Sequence, residues 1–322
     1  MTTISRRSFL KTTACLGAAT GALRSRAAGA AKGWPVACRD AHLAQTGLPD
    51  WPSAMKFLEL DSLEVDVKED LSCPFLHHPD KKYTVATDEG IRHVGDDLAA
   101  ANARVTAFCM HNRLDERLDD EVAATAKLVA AAERLKVGVI RLDVVPCKVP
   151  VTEFLSFAID ACKRLCKIAE GTGVRFGVEN HGKITNDPGF LDKLFDGVGS
   201  DRLGLTLDPM NFYWFGHPLT EVYGIYERFA PRAVHTHCKN LKYPEDKKNV
   251  RREIGWGYKD HAAPVYDGDI DFRRVASILK KANYRGDFCL EEEYLRIRKV
   301  PEADQPEILK REIAHLREIA TA

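Results

Sequence analysis

The sequence lacks any apolar segment long enough to span a membrane. A transmembrane helix needs about 20 consecutive, mostly apolar residues, and the 322-residue chain contains no such run. It also lacks low-complexity blocks, close internal repeats and linkers rich in proline, glycine or serine. We therefore expect no membrane anchor once a signal is removed. The length leaves room for one large α/β barrel or two smaller domains.

Acidic residues are missing from the first 31 positions, although the whole chain has 47 basic and 47 acidic residues. The segment holds five basic residues, namely Arg6, Arg7, Lys11, Arg24 and Arg26. Without it, the chain has 42 basic and 47 acidic residues, a net charge of −5. Because a mildly acidic chain binds phosphate backbones poorly, we expect no nucleic-acid partner.

The basic N-terminus has the pattern of an export signal. Residues 5–11, Ser-Arg-Arg-Ser-Phe-Leu-Lys, resemble a twin-arginine (Tat) signal, and a modest apolar stretch follows. Ala28-Gly29-Ala30 is a suitable cleavage site. We predict a signal peptide at residues 1–30 and a mature domain over residues 31–322. The Tat machinery would then be an export partner, and the location would be the bacterial periplasm or otherwise outside the cytoplasm.

Cys-x-x-Cys pairs of the kind that bind zinc are absent. Eight cysteines follow the basic segment, and an exported protein can form disulfides. Four of them lie in predicted strands, where small buried thiols are common, namely Cys38, Cys109, Cys238 and Cys289. The disulfide status of the cysteines stays open.

Short apolar runs alternate with amphipathic segments from residue 35 to the C-terminus, which is typical of βα units around a parallel sheet. The predicted strands are Pro35–Arg39, Ser62–Val67, Arg104–Met110, Gly138–Val145, Val174–Val178, Leu203–Leu207, Ala233–Thr236 and Phe288–Leu290. Of the helices between them, one is predicted to start at Asp88 as its N-cap, one at Asp119 and one behind a Thr152 cap. Eight strands alternating with eight helices predict the α/β class and a single (β/α)₈ TIM barrel. The irregular stretch 241–269 follows strand seven, so we expect a lid over the barrel mouth.

Four residues that can bind a metal stand at the ends of apolar runs. They are Glu179, Asp208, His237 and Glu291, separated by 29, 29 and 54 residues. A repeat near 29 fits one strand, one helix and their loops, so the four should converge at the barrel mouth. Three carboxylates and an imidazole would repel and be partly desolvated there unless a cation sat among them. We expect one divalent ion, with Mn²⁺ placed first and Mg²⁺, Co²⁺ and Zn²⁺ as alternatives.

Four short motifs resemble the xylose isomerase-like TIM-barrel superfamily, the group of sugar phosphate isomerases/epimerases, ketose 3-epimerases and inosose dehydratases. They are Glu-Asn-His at 179–181, Leu-Asp-x-x-Asn at 207–211, His-x-His-x-Lys-Asn at 235–240 and Gly-x-Phe-x-Leu-Glu at 286–291. The resemblance covers about residues 35 to 320 and implies that the four residues hold the metal. His237 is preferred to His235 because the ligand in that family directly precedes an x-Lys-Asp type sequence.

The resemblance also implies a reaction. An isomerase or epimerase would remove a proton next to the carbonyl of a sugar or keto-sugar through a metal-stabilised enediolate. Glu179 and Glu291 would be the catalytic acid/base groups. The remaining candidates, for substrate binding, are His111, His181, Asn211, Lys239 and Trp256. Asn211 stands where ketose epimerases carry a histidine, which weakens assignment to those enzymes in particular.

Other functions remain open. The same metal site could serve a dehydratase or a lyase acting on a keto-sugar or keto-glycoside. A non-catalytic sugar-binding barrel and an endonuclease IV-type enzyme are further alternatives, although the acidic charge opposes DNA. No glycine-rich phosphate cradle is present, and the predicted export favours an unphosphorylated or glycosidic substrate. The sequence leaves a homo-oligomer open.

Overall fold

The computed structural model describes residues 33–322, and the predicted export signal lies outside this range. Eight parallel strands close into a barrel, and each strand pairs with its sequence neighbours until the last strand pairs with the first. We number them in chain order: β1 Val36–Arg39, β2 Ser62–Val67, β3 Arg104–Met110, β4 Val139–Leu142, β5 Arg175–Glu179, β6 Leu203–Leu207, β7 Ala233–Cys238 and β8 Phe288–Leu290. The predicted single TIM barrel is confirmed.

Eight helices follow the strands and surround the barrel. They are α1 Trp51–Phe57, α2 Asp88–Ala100, α3 Leu114–Leu135, α4 Val151–Ile168, α5 Pro188–Val198, α6 Leu219–Phe229, α7 Phe272–Lys281 and α8 Gln305–Thr321. Shorter helices cover Asp40–Leu43, Pro209–Trp214, Glu245–Lys248, Tyr258–His261 and Tyr294–Ile297. Single 3₁₀ turns lie at Ala44–Thr46, Ala230–Arg232, Val265–Asp267 and Glu302–Asp304. No helix within residues 33–322 combines the length and hydrophobicity of a membrane span.

Most predicted element boundaries agree with the structure, and the exceptions have local causes. Helix α2 is capped by Thr87 and not by Asp88, because extended Thr87 accepts a hydrogen bond from the Gly90 amide at 3.1 Å. Helix α3 begins before the predicted Asp119 and has non-helical backbone at Arg117, where two helical segments join. Helix α4 has Pro150 at its N-cap, so the predicted Thr152 cap is wrong.

The barrel interior contains charged residues as well as the expected apolar layers. Side chains of a strand alternate between the barrel interior and the helix layer. Apolar residues such as Leu63 and Phe176 are fully buried, and so are the charged Glu64 and His237. Buried charges need partners to offset the cost of desolvation, so we expect these charged groups to pair with one another inside the barrel.

The chain after β7 contains the stretch 241–269 for which a lid is predicted, and we call residues 240–269 the lid segment. Its two-residue strands, Asn240–Leu241 and Ala262–Ala263, pair antiparallel. Gly216, at φ 106°, accepts a backbone hydrogen bond from the Arg252 amide of this segment at 3.0 Å, while its own amide donates to the Tyr213 carbonyl at 3.1 Å. Only glycine fits there, because an added Cβ would lie 2.2 Å from the Arg252 carbonyl oxygen.

Candidate active site

The four predicted ligands come together at the C-terminal end of the barrel. Glu179 ends β5, Asp208 follows β6, His237 lies near the end of β7 and Glu291 follows β8. One ligand atom from each residue lies within 4.8 Å of the ligand atoms of the other three. All four residues are buried, with at most 6% of the surface of each exposed.

His237 presents one ring nitrogen to this cluster and anchors the other below it. Its Nε2 lies 2.8 Å from Glu64 Oε2, while Nδ1 lies 3.3 Å from Glu179 Oε1 and 3.2 Å from Glu291 Oε2. With the proton on Nε2, the Nδ1 lone pair faces two carboxylate oxygens, an arrangement that requires a cation between them. In the metal-free protein, the proton supplies that charge: burial opposes it, but Glu291, Glu64 and Glu179 raise the pKa of His237 well above its usual value.

Asp208 is held by the backbone that follows it and by one lysine. Its Oδ1 accepts a hydrogen bond from the Asn211 amide at 3.0 Å, and Lys239 Nζ lies 3.0 Å from Oδ2. Burial raises the pKa of Asp208 to about 7, Lys239 opposes the shift, and the charges of Glu179 and Glu291 reinforce it. A second positive charge at this point would restore the ionised carboxylate.

Glu179 is fixed from both sides by neighbouring side chains. Arg141 on β4 contacts Oε2 through two guanidinium nitrogens, with Nε at 2.7 Å, and Asn211 Nδ2 donates to Oε1 at 3.0 Å. Although burial opposes it, Arg141 and His237 hold the pKa of Glu179 below its usual value. Glu179 is therefore ionised and can rotate little.

Glu291 has a matching environment across the cluster. Arg39 at the end of β1 contacts Oε1, and Lys239 Nζ lies 2.6 Å from Oε2. Although burial opposes it, His237, Lys239 and Arg39 hold the pKa of Glu291 well below its usual value. The two glutamates thus reach the cluster from strands on different sides of the barrel, each oriented by its own arginine.

The donor set fits a divalent ion. Carboxylate oxygens with one imidazole nitrogen suit Mn²⁺, Mg²⁺, Co²⁺ or Zn²⁺. The His237 Nδ1 atom, which has no hydrogen-bond partner of good geometry among the described residues, points into the cluster. Glu64 would orient this imidazole from behind, as carboxylates do for many metal-bound histidines.

The predicted substrate residues His111 and His181 lie beside the cluster, at its exposed side. His111 Nε2 lies 2.5 Å from Asp66 Oδ1, and its Nδ1 lies 3.5 Å from Asp143 Oδ2. His181 Nδ1 lies 3.3 Å from Asp143 Oδ1. The bond to Asp143 and the bond to Asp66 raise the pKa of His111 to about 9, and the bond to Asp143 raises that of His181. About half of each imidazole is exposed, at 45% and 50%.

Asn211 and Lys239 contact the candidate ligands directly, and Trp256 does not belong to the cluster. Trp256 lies in the lid, stacked on His261 at 5.4 Å between ring centroids and tilted against Tyr243. The lid reaches the site through another aromatic residue, since the Tyr258 hydroxyl donates to Glu293. Glu293 Oε2 in turn lies 3.5 Å from Lys239 Nζ.

Five charged residues of the site were not predicted, namely Arg39, Glu64, Asp66, Arg141 and Asp143. The sequence could have indicated them, because each stands inside or at the end of an apolar strand, and charged residues are rarely buried unless they are paired. Glu64 and Asp66 are two apart in β2, so both face the same side of the sheet. That side is the barrel interior.

The chain matches a known protein family over most of its length. The family model described as xylose isomerase-like TIM barrel matches residues 54–319. The chain belongs to this family. The match spans most of the barrel, so the expected family resemblance is confirmed, and so is the fold that it implied.

Curated relatives that match part of this chain are inosose dehydratases. An inosose dehydratase of Clostridium perfringens (strain 13 / Type A) is 26% identical over 138 residues, which are 42% of this chain and 46% of that protein. The chain thus spans about half the length of the curated relatives that it matches. The family is enzymatic, and the proteins similar to this chain include inosose dehydratases in sequence and an L-ribulose 3-epimerase in fold.

Several solved structures share the fold of this chain at low sequence identity. An IOLI protein with a bound zinc atom has a TM-score of 0.63 and 16% identity, covering 89% of this chain and 99% of its own. A D-allulose 3-epimerase from Methylomonas sp., in complex with D-allulose, has a TM-score of 0.62 and 13% identity, covering 89% of this chain and 97% of its own. At such identities the likeness shows the barrel fold alone.

Proposed function

We propose that this chain is a metal-dependent sugar or keto-sugar isomerase or epimerase that removes a proton next to a carbonyl. The observation that carries the proposal is the buried set Glu179, Asp208, His237 and Glu291, with ligand atoms within 4.8 Å of one another. The epimerase and dehydratase members of the family support it, because both reactions begin by weakening a C–H bond beside a carbonyl.

Glu179 and Glu291 are the proposed acid/base groups. A divalent ion bound among the four residues would polarise the substrate carbonyl and make the neighbouring C–H more acidic. Glu179 Oε1 and Glu291 Oε2 both face the His237 ring nitrogen and so border the same small space. One carboxylate takes the proton. The other, once it has itself taken up a proton from water or from a substrate hydroxyl, gives that proton to the opposite face or to the adjacent carbon. Arg141 and Arg39 keep the two carboxylates oriented throughout.

Loss of a hydroxyl group at the β carbon is the second candidate reaction. The inosose dehydratase relative favours it, and so does Asn211 at the position of the ketose epimerase histidine. Elimination needs a proton donor for the leaving hydroxyl. His111, with its pKa raised to about 9, is protonated at neutral pH and half-exposed at the mouth, so it can supply that proton.

The other substrate contacts follow from position. His111 and His181 would bind substrate hydroxyls from the exposed side of the cluster. Lys239 and Asn211 would contact substrate oxygens while they hold the candidate ligands. Trp256 would cover the sugar only when the lid, in which it packs against His261, lies over the mouth.

We extend the proposal to the metal and to the cellular location. Mn²⁺ remains the first choice, and the zinc atom in the similar IOLI structure makes zinc the first alternative. The twin-arginine pattern at residues 5–11 supports export to the periplasm. An exported enzyme of this kind would meet unphosphorylated sugars or glycosides.

Proton exchange in D₂O tests the proposal. Metal-loaded protein is incubated with ketoses, keto-glycosides and inososes, and the products are followed by NMR. Deuterium at a carbon beside the carbonyl supports proton abstraction, and a new alkene signal indicates elimination. Glu179→Gln and Glu291→Gln should abolish exchange, whereas Glu133→Gln on the exposed face of α3 should not change it. Full exchange in either site variant would remove the acid/base assignment.

A further inference from the structure

A cleft with four basic side chains opens at the opposite end of the barrel from the candidate active site. Its volume is about 350 Å³, and its basic lining residues are Arg104, Lys136, Arg175 and Arg285. Arg104 and Arg175 are the first residues of β3 and β5, while Lys136 and Arg285 shortly precede β4 and β8. Because all eight strands are parallel, their starts meet at the N-terminal rim, far from the ends that carry the metal ligands.

The four basic side chains of this cleft form no close ion pairs in the described part of the chain. Within residues 33–322, none of the four basic side chains has a carboxylate oxygen within 4.0 Å. Arg104 Nε donates to Ser62 Oγ at 3.0 Å and Arg175 Nε to the Asp201 carbonyl at 3.1 Å, contacts that orient the guanidinium groups without neutralising them. Burial lowers the pKa of Arg175, the charge of Asp201 opposes this shift, and the neighbouring charge of Arg202 reinforces it.

One acidic residue, Asp287, also lines the cleft, but one of its carboxylate oxygens already pairs with a histidine. Asp287 is buried, and its Oδ1 lies 2.7 Å from His235 Nδ1. Among the lining residues, four basic side chains face this one buried carboxyl. The four basic groups therefore dominate the potential of the cleft.

We propose that this N-terminal cleft binds a small anion that carries at least two phosphate charges. Three arginines offer planar guanidinium groups, which match phosphate oxygens in pairs. The volume is that of a small-molecule site, and the remainder of the barrel is acidic, which opposes a nucleic acid as the ligand. The site is separate from the proposed catalytic function and does not depend on it.

Gly138 offers a direct way to alter the cleft. It lines the cleft just before β4, and an added Cβ would meet nothing within 4 Å. Gly138→Asp therefore places a carboxylate among the four basic groups without a clash. Gly138→Ser is the matched neutral control, because it adds a polar side chain of smaller size and no charge.

Titration calorimetry with tripolyphosphate on the full, chelator-treated chain tests the proposal. One saturable site is expected, with affinity that falls as salt rises. Arg175→Gln and Arg285→Gln should each weaken binding about tenfold or more, the effect of losing one charged hydrogen-bond partner. Gly138→Asp should weaken binding to a similar extent, because the added carboxylate repels the anion. Gly138→Ser, Asp208→Asn at the opposite end and Arg113→Gln outside the cleft should leave binding unchanged.

Three results would overturn the proposal of an anion site in the N-terminal cleft. They are absence of saturable binding, equal binding by wild type and Gly138→Asp, and equal loss in Gly138→Ser and Gly138→Asp. Melting temperatures without ligand identify any variant that fails to fold, and exposed Arg285 provides the variant least sensitive to that problem.

Discussion

Glu64 provides the sharpest test of how the candidate metal site is built. This residue lies on β2, fully buried, and its Oε2 contacts His237 Nε2 at 2.8 Å and His235 Nε2 at 3.2 Å. We expect it to fix the His237 proton on Nε2 and leave Nδ1 free for a metal. Although burial opposes it, His237 and His235 hold the pKa of Glu64 well below its usual value, so it acts as a charged acceptor.

Glu64→Gln keeps the size of the side chain and one acceptor oxygen but removes the charge. Charge-assisted hydrogen bonds are about twice as strong as neutral ones, and loss of such a partner typically weakens metal affinity about 10- to 100-fold. Because the amide oxygen can still accept from one imidazole, we expect the lower part of that range, about tenfold, which corresponds to about 1.4 kcal/mol.

Competition against a chromophoric chelator measures the effect as a change in the Kd for Mn²⁺ or Zn²⁺. Glu121→Gln is the matched control, since Glu121 is also buried and accepts hydrogen bonds from Asn112 and Arg113 away from the four ligands. Glu121→Gln should lower stability without changing the metal Kd. An unchanged Kd in Glu64→Gln would show that Glu64 does not set the state of His237.

Three further predictions follow from the structure. Lys239→Met should destabilise the metal-free protein by about 3–5 kcal/mol and the metal-loaded protein by less. The reason is that Lys239 Nζ lies 2.6 Å from Glu291 Oε2 and offsets the charge of the buried carboxylates, which a bound metal ion would also do. Equal losses of melting temperature in the two forms would contradict this prediction. Burial raises the pKa of Glu312 well above its usual value, so the folded state holds this proton more tightly and stability falls as pH rises above about 4.3. Glu312→Gln should therefore gain stability over wild type from pH 5 to pH 8 in urea unfolding, and a constant difference would refute it. Gly216→Ala should lower the free energy of unfolding by about 1–3 kcal/mol, because φ is 106° and the new Cβ would lie 2.2 Å from the Arg252 carbonyl oxygen. Gly224→Ala is the control, because no atom lies within 4 Å of a Cβ added there.

The fold could be predicted from the sequence because a parallel barrel produces a regular alternation of apolar strands and amphipathic helices. Its strands are buried on both faces and appear as short apolar runs, and the intervening helices are amphipathic. Leu203–Leu207 and Phe288–Leu290 were located to the residue for this reason. Helix starts were less accurate, since Thr87 and Pro150 are chosen by backbone conformation at the cap and not by hydrophobic periodicity.

The four candidate ligands could also be selected from the sequence, because strand ends of a barrel meet at one rim. The supporting charges were missed for a related reason. Arg39 and Arg141 are distant from Glu291 and Glu179 in sequence, and their pairing depends on which strands become neighbours and which side chains point inward. Composition gives no measure of such contacts.

The sequence by itself determined the barrel, its family and the residues that stand at its C-terminal rim, since these depend on local periodicity and short motifs. Only the tertiary structure decided the protonation and orientation of the site. Glu64 reaches His237 from β2, and Lys239 lies between Asp208 and Glu291. Closure of the ring also brings four basic residues to one cleft at the other rim. Electrostatic interactions depend on distance in space and on burial, and both are fixed only when the ring of strands closes.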